Sequence, residues 1–346
     1  MRQSQIPYPI DSKEKTVDYR GGNIVNILVI HSHNANRGDE AAVKAMVDEL
    51  LIKYPGATIT ISNNGFTPYP GMPENVIQID RFPKLESRIA QLEFFIVLLF
   101  KGKFALTKEA RKFIRALKEA DVVLHAPGGP SIGDTYFKAE KLYLWRLNLI
   151  RRMGIPYIFY APSMGPFNCA SRNKLRKEVI SGAERIILRD PISVKYVKDF
   201  LPGVEVEQAL DSALQHDIDI DKNERKYNNY PELKNFIENH EKCIGITITD
   251  LKWHPVHKNE KIIEQIPTAF KEFITQKVKE GYGVIFIPQL YGNLNDTKVM
   301  NDYMLDSDTF MIDAFSEERD TYFQQYVIGK LYAVVGMRYH SCLLYT

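Results

Sequence analysis

At 346 residues, with 45% hydrophobic and 25% charged content, the chain exceeds the usual size of one domain and has an ordinary globular composition. Its 45 basic against 43 acidic residues leave a formal net charge of +2, which excludes the concentrated positive field of a nucleic-acid binder. Three cysteines, Cys169, Cys243 and Cys342, are widely separated and odd in number, so they form neither a disulfide framework nor a CxxC metal site, and a reducing cytoplasm fits them.

Residues 1–23 lack the basic-then-apolar layout of a secretory signal and read as a disordered leader. A first α/β domain is expected over 24–216. Its strands are 26–31 (NILVIH), 57–62 (ATITIS), 121–125 (DVVLH), 157–161 (YIFYA) and 185–188 (RIIL), each an apolar run, with helical periodicity between them, notably at 108–120 and 171–183. That strand-then-helix rhythm is the signature of a parallel sheet covered by helices on both faces. The most apolar window, 94–100 (FFIVLLF), is ended by Lys101 and Lys103 far short of the roughly 20 residues that span a bilayer. It reads either as a core helix or as a patch that docks on a membrane surface.

Residues 217–240 (DIDIDKNERKYNNYPELKNFIENH) turn sharply polar and read as a linker. A second domain is expected over 241–346, with strands at 243–249, 284–288, 310–313 and 333–337 and a helix over 262–280. No repeat of 20 to 50 residues is visible, which sets solenoids and propellers aside.

In open parallel sheets ligands sit beyond the C-terminal ends of the strands, so the loops there carry the candidate residues. HSHNANRGDEAA places Asn36, Gly38 and Asp39 at a helix start, either as an anion site or with Asp39 as a simple cap. No GxGxxG fingerprint supports a dinucleotide. HAPGGPSIGD offers Gly128 and Gly129 either for close backbone approach to a ligand or as a common turn device, with Asp134 at the rim. APSMGPFNCASR shapes a loop at Gly165, and RIILRDPISVKYV presents Arg189, Asp190 and Ser193. A guanidinium there grips a carboxylate or phosphate, or else pairs with an aspartate to brace the domain interface. IPQLYGNLND brings Gln289 to a strand end. The closing stretch, GMRYHS, puts Arg338 and His340 on one side of an extended segment, joining anion binding to proton transfer; the plainer reading is a histidine satisfied by a backbone carbonyl. His31 with His33, and His254 with His257, lack companions at metal-ligand spacing.

Taken in order, NxNRGDEA (34–41), APGGPSIGD, SMGPF, ILRDPIS, LDSAL (210–214), IGITIT, IPQ and GMRYHS resemble the polysaccharide pyruvyl transferase family. The resemblance implies a GT-B-like architecture, two Rossmann-like domains facing a cleft. It implies transfer of a pyruvyl group from phosphoenolpyruvate to sugar hydroxyls, forming a ketal in exopolysaccharide or cell-surface glycan biosynthesis. The acceptor is then a saccharide or a lipid-linked saccharide, and the location cytoplasmic, peripheral to the inner face of the membrane. Arg189 and Arg338 are implied to hold the donor's phosphate and carboxylate, with His340 as general acid. That scheme needs neither metal nor other cofactor, because the chemistry is protonation of an enol ether's methylene carbon beside a clamped anion.

Two departures qualify the resemblance. The family's GGG is Gly128, Gly129 and Pro130 here, which removes one backbone N–H. The family pattern also continues beyond GMRYHS, so the second domain is expected to be incomplete at its end. A GT-B-like glycosyltransferase taking a nucleotide sugar, or a truncated non-catalytic relic, stands as the alternative.

Overall fold

A computed structural model describes residues 25–65, 67–83, 87–214, 217–254, 258, 260–290, 295–313 and 317–337. The chain divides into two compact units. One comprises the residues up to 215 apart from two short segments, and the other comprises 216 onward with Ala35–Ala41 and Tyr69–Gly71.

The first unit runs β1 (Asn26–Ser32), α1 (Arg37–Lys53, whose first turn clusters with the second unit), β2 (Thr58–Asn63), β3 (Val76–Asp80), α2 (Arg88–Leu99), α3 (Lys108–Glu119), β4 (Val122–His125), β5 (Gly128–Ile132), α4 (Phe137–Met153), β6 (Tyr157–Tyr160), β7 (Pro162–Met164), α5 (Asn173–Ser181), β8 (Arg185–Leu188), α6 (Pro191–Phe200) and β9 (Glu207–Gln208). Seven strands form one parallel sheet in the order β3-β2-β1-β4-β6-β8-β9. Successive strands go one way from β1 and then the other way from β4, so the order reverses between those two. β1 and β4 are buried almost throughout, as strands covered on both faces must be, which is why they read as unbroken apolar runs. Phe94, Phe113, Leu147 and Phe159 are among the fully buried side chains of its core.

The helix starts are set by local chemistry. Thr107 caps α3 by accepting from Ala110 N, and Asp190 caps α6 by accepting from Ser193 N, with Pro191 at the first helical position. α4 ends at Gly154, whose φ of 76° is the left-handed conformation that stops a helix.

The second unit runs α7 (Ile220–Asn228), α8 (Pro231–Glu238), β10 (Cys243–Thr247), α9 (Ile262–Lys279), β11 (Gly283–Phe286), α10 (Asp296–Met300), β12 (Thr309–Met311), α11 (Thr321–Ile328) and β13 (Ala333–Gly336). Its four described strands are parallel in the order β12-β11-β10-β13, reversing between β10 and β13.

Residues 217–240, expected to be a linker, contain α7 and α8. Tyr227, Tyr230 and Phe236 supply much of their packing. Tyr227 and Leu233 are buried, Tyr227 lies 6.0 Å from the Tyr326 ring, and Tyr230 sits beside Phe310 and under the Arg319 guanidinium. Asp219 caps α7 through Lys222 N, and Lys226 pairs with Asp320 at 3.3 Å. This polar-looking segment is therefore a packed layer of the second unit.

Candidate functional site

The reversal between β1 and β4 is where ligands bind in sheets of this kind. Each strand ends there in a histidine or just past one. His125 closes β4, and its Nδ1 lies 2.9 Å from the carbonyl of Ala126. A carbonyl only accepts, so Nδ1 carries the proton, and Nε2 accepts from the Ser131 hydroxyl at 2.7 Å. His31 meets the His125 ring edge-on at 4.6 Å and the Tyr143 ring at 4.5 Å. Its φ of 63° is left-handed, and neither of its buried ring nitrogens has a hydrogen-bond partner among the described residues.

Burial pushes the His125 pKa down to about 4 against weaker support from the backbone. Burial, then the neighbouring His125 and Arg146, push His31 well below the usual histidine range. Both imidazoles are neutral at physiological pH, so they offer uncharged hydrogen bonding, and the positive charge beside them is that of Arg146. His125 and Ser131 were not singled out from the sequence. The available signal was a polar residue closing an otherwise apolar strand.

The RDPIS stretch, with parts of SMGPF and LDSAL, makes a second cluster in the first unit. Arg189 donates from Nη1 to Asp211 at 2.5 Å and from Nε to Ser163 Oγ at 2.9 Å. Ser163 and Ser193 both donate to Asp190 Oδ2 at 2.8 Å, and Ser193 Oγ accepts from Met164 N at 2.8 Å. Three motifs that are far apart in sequence thus converge on one guanidinium and two carboxylates. Arg189 is held by Asp211 within the first unit, and its orientation is fixed.

The glycines are placed differently. Gly128 pairs with Pro162 across a short parallel ribbon of β5 and β7, while a side chain at Gly129 would meet open space. Gly165 has φ 91° and packs against Tyr196 so closely that a Cβ would come within 2.7 Å of that ring. Its spacing serves packing against α6. Asp134 is not a free rim group: it pairs with Arg176 at 2.7 Å and accepts from Asn168 N and Cys169 N.

In the second unit, Asn36, not Asp39, caps α1, because Gly38 N donates to Asn36 Oδ1 at 2.8 Å. Asp39 lies in the first turn, partly exposed. The residues that lock this motif, Arg37 and Glu40, form a buried pair at 2.5 Å. Glu40 Oε1 accepts from Thr321 N at 3.2 Å, Thr321 Oγ1 donates to the Arg37 carbonyl, and Arg37 N donates to the Gln289 carbonyl. Gln289 is fully buried, its Nε2 donates to Gln324 Oε1 at 3.0 Å, and its own Oε1 has no partner among the described residues. Asp296 accepts from Gln289 N and Leu290 N, fixing that strand end.

Arg338 and His340 lie outside the described residues. The strand that leads to them is β13, at the reversal beside β10, where Met337 N donates to the Thr247 carbonyl at 2.8 Å. Among the described residues no group of three His, Cys, Asp or Glu side chains converges as metal ligands. No described helix is long and apolar enough to cross a membrane.

Among solved structures, MnaA of S. aureus with UDP is similar, with a TM-score of 0.50 at 11% identity over 91% of this chain and 74% of that one. A putative UDP-N-acetylglucosamine 2-epimerase from Listeria monocytogenes has a TM-score of 0.48 at 12% identity, covering 92% and 75%. A glycosyltransferase from Rickettsia africae ESF-5 has 0.49 at 12%, covering 90% and 72%. At such identities the likeness concerns fold, and the fold is α/β with parallel sheets of the GT-B-like, Rossmann-like kind. No curated protein matches the sequence. The family model for polysaccharide pyruvyl transferase matches residues 36–344, nearly the whole chain, and the chain belongs to that family.

Proposed function

We propose that the protein transfers a pyruvyl group from phosphoenolpyruvate to two hydroxyls of a saccharide, free or lipid-linked, during exopolysaccharide or cell-surface glycan synthesis. The family match over residues 36–344 carries this reading. The reaction places a proton on the methylene carbon of the donor, joins the first hydroxyl oxygen to C2, releases inorganic phosphate and joins the second oxygen to the same carbon. One hydroxyl proton balances the carbon protonation and the other leaves with the phosphate. Arg189 and Arg338 are assigned to the donor's anionic groups and His340 to proton delivery. The neutral His125–Ser131 pair in the first unit is suited to an uncharged hydroxyl. The expected location is cytoplasmic, at the inner face of a membrane, with no metal or other cofactor.

The test is incubation of the whole chain with phosphoenolpyruvate and candidate saccharides while following phosphate. Release that depends on the saccharide, with a product heavier by one pyruvate ketal, is expected. Transfer from a nucleotide sugar with no such release would establish the glycosyltransferase alternative, to which UDP in the MnaA structure points. Absence of both activities would favour the relic.

A further inference from the structure

α2 is apolar around most of its circumference. Phe94, Val97 and Leu98 enter the core, where Phe94 packs against Phe82 and lies parallel to the Trp145 ring. Its opposite side is not covered. Ile89, Leu92, Phe95 and Leu99 follow one another at helical spacing, each 55% to 77% exposed. Phe104 and Leu106, just beyond, are 51% and 65% exposed. A single exposed leucine needs no explanation, whereas a continuous run of this size marks a surface that something covers.

The run is held rigidly. Lys101 and Gly102 take left-handed backbone conformations (φ 50° and 75°), and Gly102 N donates to the Val97 carbonyl, so the chain turns back beside α2. Phe100 and Phe104 then stack edge-to-face at 4.9 Å. Glu93, buried on the inner side of α2, accepts from Leu106 N at 2.6 Å, from Thr107 N at 2.7 Å and from the Thr107 hydroxyl at 2.7 Å. A buried carboxylate fully engaged with the next segment fixes Leu106 beside the helix without burying its side chain.

The charges around the run decide what covers it. From Ser87 to Lys108 the exposed charged side chains are Arg88, Lys101, Lys103 and Lys108, all cationic, and Glu109, next in α3, is the first exposed carboxylate beyond them. A second copy meeting the same face across a two-fold axis would bring these four against four like charges. An interface of acyl chains below anionic headgroups matches both the apolar run and its cationic border. We infer that the outer face of α2, with the turn through Leu106, is a docking surface for an anionic lipid bilayer, lying in the plane of the headgroups with Phe95 and Leu99 inserted. The inference rests on this face alone and holds whichever group the enzyme transfers.

The test is co-sedimentation of the whole chain with vesicles of phosphatidylcholine and with vesicles of equal parts phosphatidylcholine and phosphatidylglycerol. Pelleting is expected with the anionic vesicles and weakly with the neutral ones. Phe95→Asp with Leu99→Asp is expected to abolish it, and Lys101→Glu with Lys103→Glu to weaken it about tenfold or more, since each cation near an anionic surface is worth about 1 kcal/mol. All four positions are exposed, and circular dichroism confirms that each variant is folded. Pelleting unchanged in the aspartate variant, or none by the wild-type chain, overturns the proposal. Equal pelleting with both vesicles overturns the anionic choice. A dimer dissociated by the aspartate substitutions, with no vesicle binding, would assign the face to a second copy.

Discussion

Arg189 and Asp211 form an ion pair at 2.5 Å with side chains only 6% and 2% exposed. Removing one partner leaves a charge out of reach of solvent, which costs more than the pair itself contributes. Asp211→Ala is therefore expected to destabilise the protein by about 3–5 kcal/mol, read from denaturant unfolding. Adding Arg189→Met should recover part of that loss, because no uncompensated charge remains. Equal destabilisation by the single and double variants would mean that Asp211 acts through its bond from Ala213 N instead.

Acid sensitivity follows from the two buried imidazoles. The folded-state pKa of His125, about 4, lies below the unfolded value of 6.5, and that of His31 is shifted in the same direction. Their contribution is complete well above pH 6.5, where neither the folded nor the unfolded chain protonates these imidazoles, and is lost as pH falls through 6.5 toward 4. Melting temperature should drop across that window, with up to about 3 kcal/mol attributable to His125 at the acid end. His125→Gln should flatten the drop. A wild-type melting curve that is level from pH 7 to pH 4.5 would contradict the burial argument.

The sheet centres were legible because strands covered on both faces leave continuous apolar runs, as in NILVIH, DVVLH, RIIL and CIGIT. β3 at the sheet edge mixes Gln78 and Asp80 into its run, and the ribbon of β5 and β7 reads GGPSI and PSM, which look like turns. Those strands exist through pairing with a neighbour, information that no local window contains. The aromatic layer of α7 and α8 was hidden for a related reason: Tyr227 and Tyr230 count as polar until their rings are seen packed. At the site, RDPIS and LDSAL were visible as separate motifs, while the Arg189–Asp211 bond that joins them spans 22 positions. Asp39 was read as part of an anion site or as the cap of its helix, and Gly38 N donates to Asn36 Oδ1 instead. The buried Arg37–Glu40 pair depends on Thr321, far along the chain.

Glu140 and Arg176 are both fully buried and joined by two bonds of 2.7 and 2.9 Å. Glu140 also accepts from Gly133 N at 2.8 Å and from Arg172 at 3.0 Å, and Arg176 reaches Asp134. One carboxylate thus joins α4, α5 and the turn after β5. Glu140→Gln keeps the shape but removes the charge opposing two guanidinium groups. It is expected to lower stability by at least about 3 kcal/mol and to increase amide exchange at Gly133. Amide exchange at Gly133 as slow as in the wild type would show that the turn is held by other bonds.

His340→Ala tests the chemistry separately from the fold. In the proposed reaction the donor's enol phosphate gains a proton at carbon, and a positioned acid typically contributes about 10²–10⁴-fold to such a step. Phosphate release by the variant is expected to fall at least about a hundredfold, while the affinity for phosphoenolpyruvate, measured by calorimetry, should change little if, as proposed, the arginines supply the anion contacts. Arg338→Ala should do the reverse, weakening donor binding first. The strand before these residues is anchored by backbone bonds from β13 to β10, so neither substitution should shift the melting temperature by more than a few degrees. Release that survives His340→Ala at the wild-type rate would remove that histidine from the proton path and turn attention to the neutral His125–Ser131 pair.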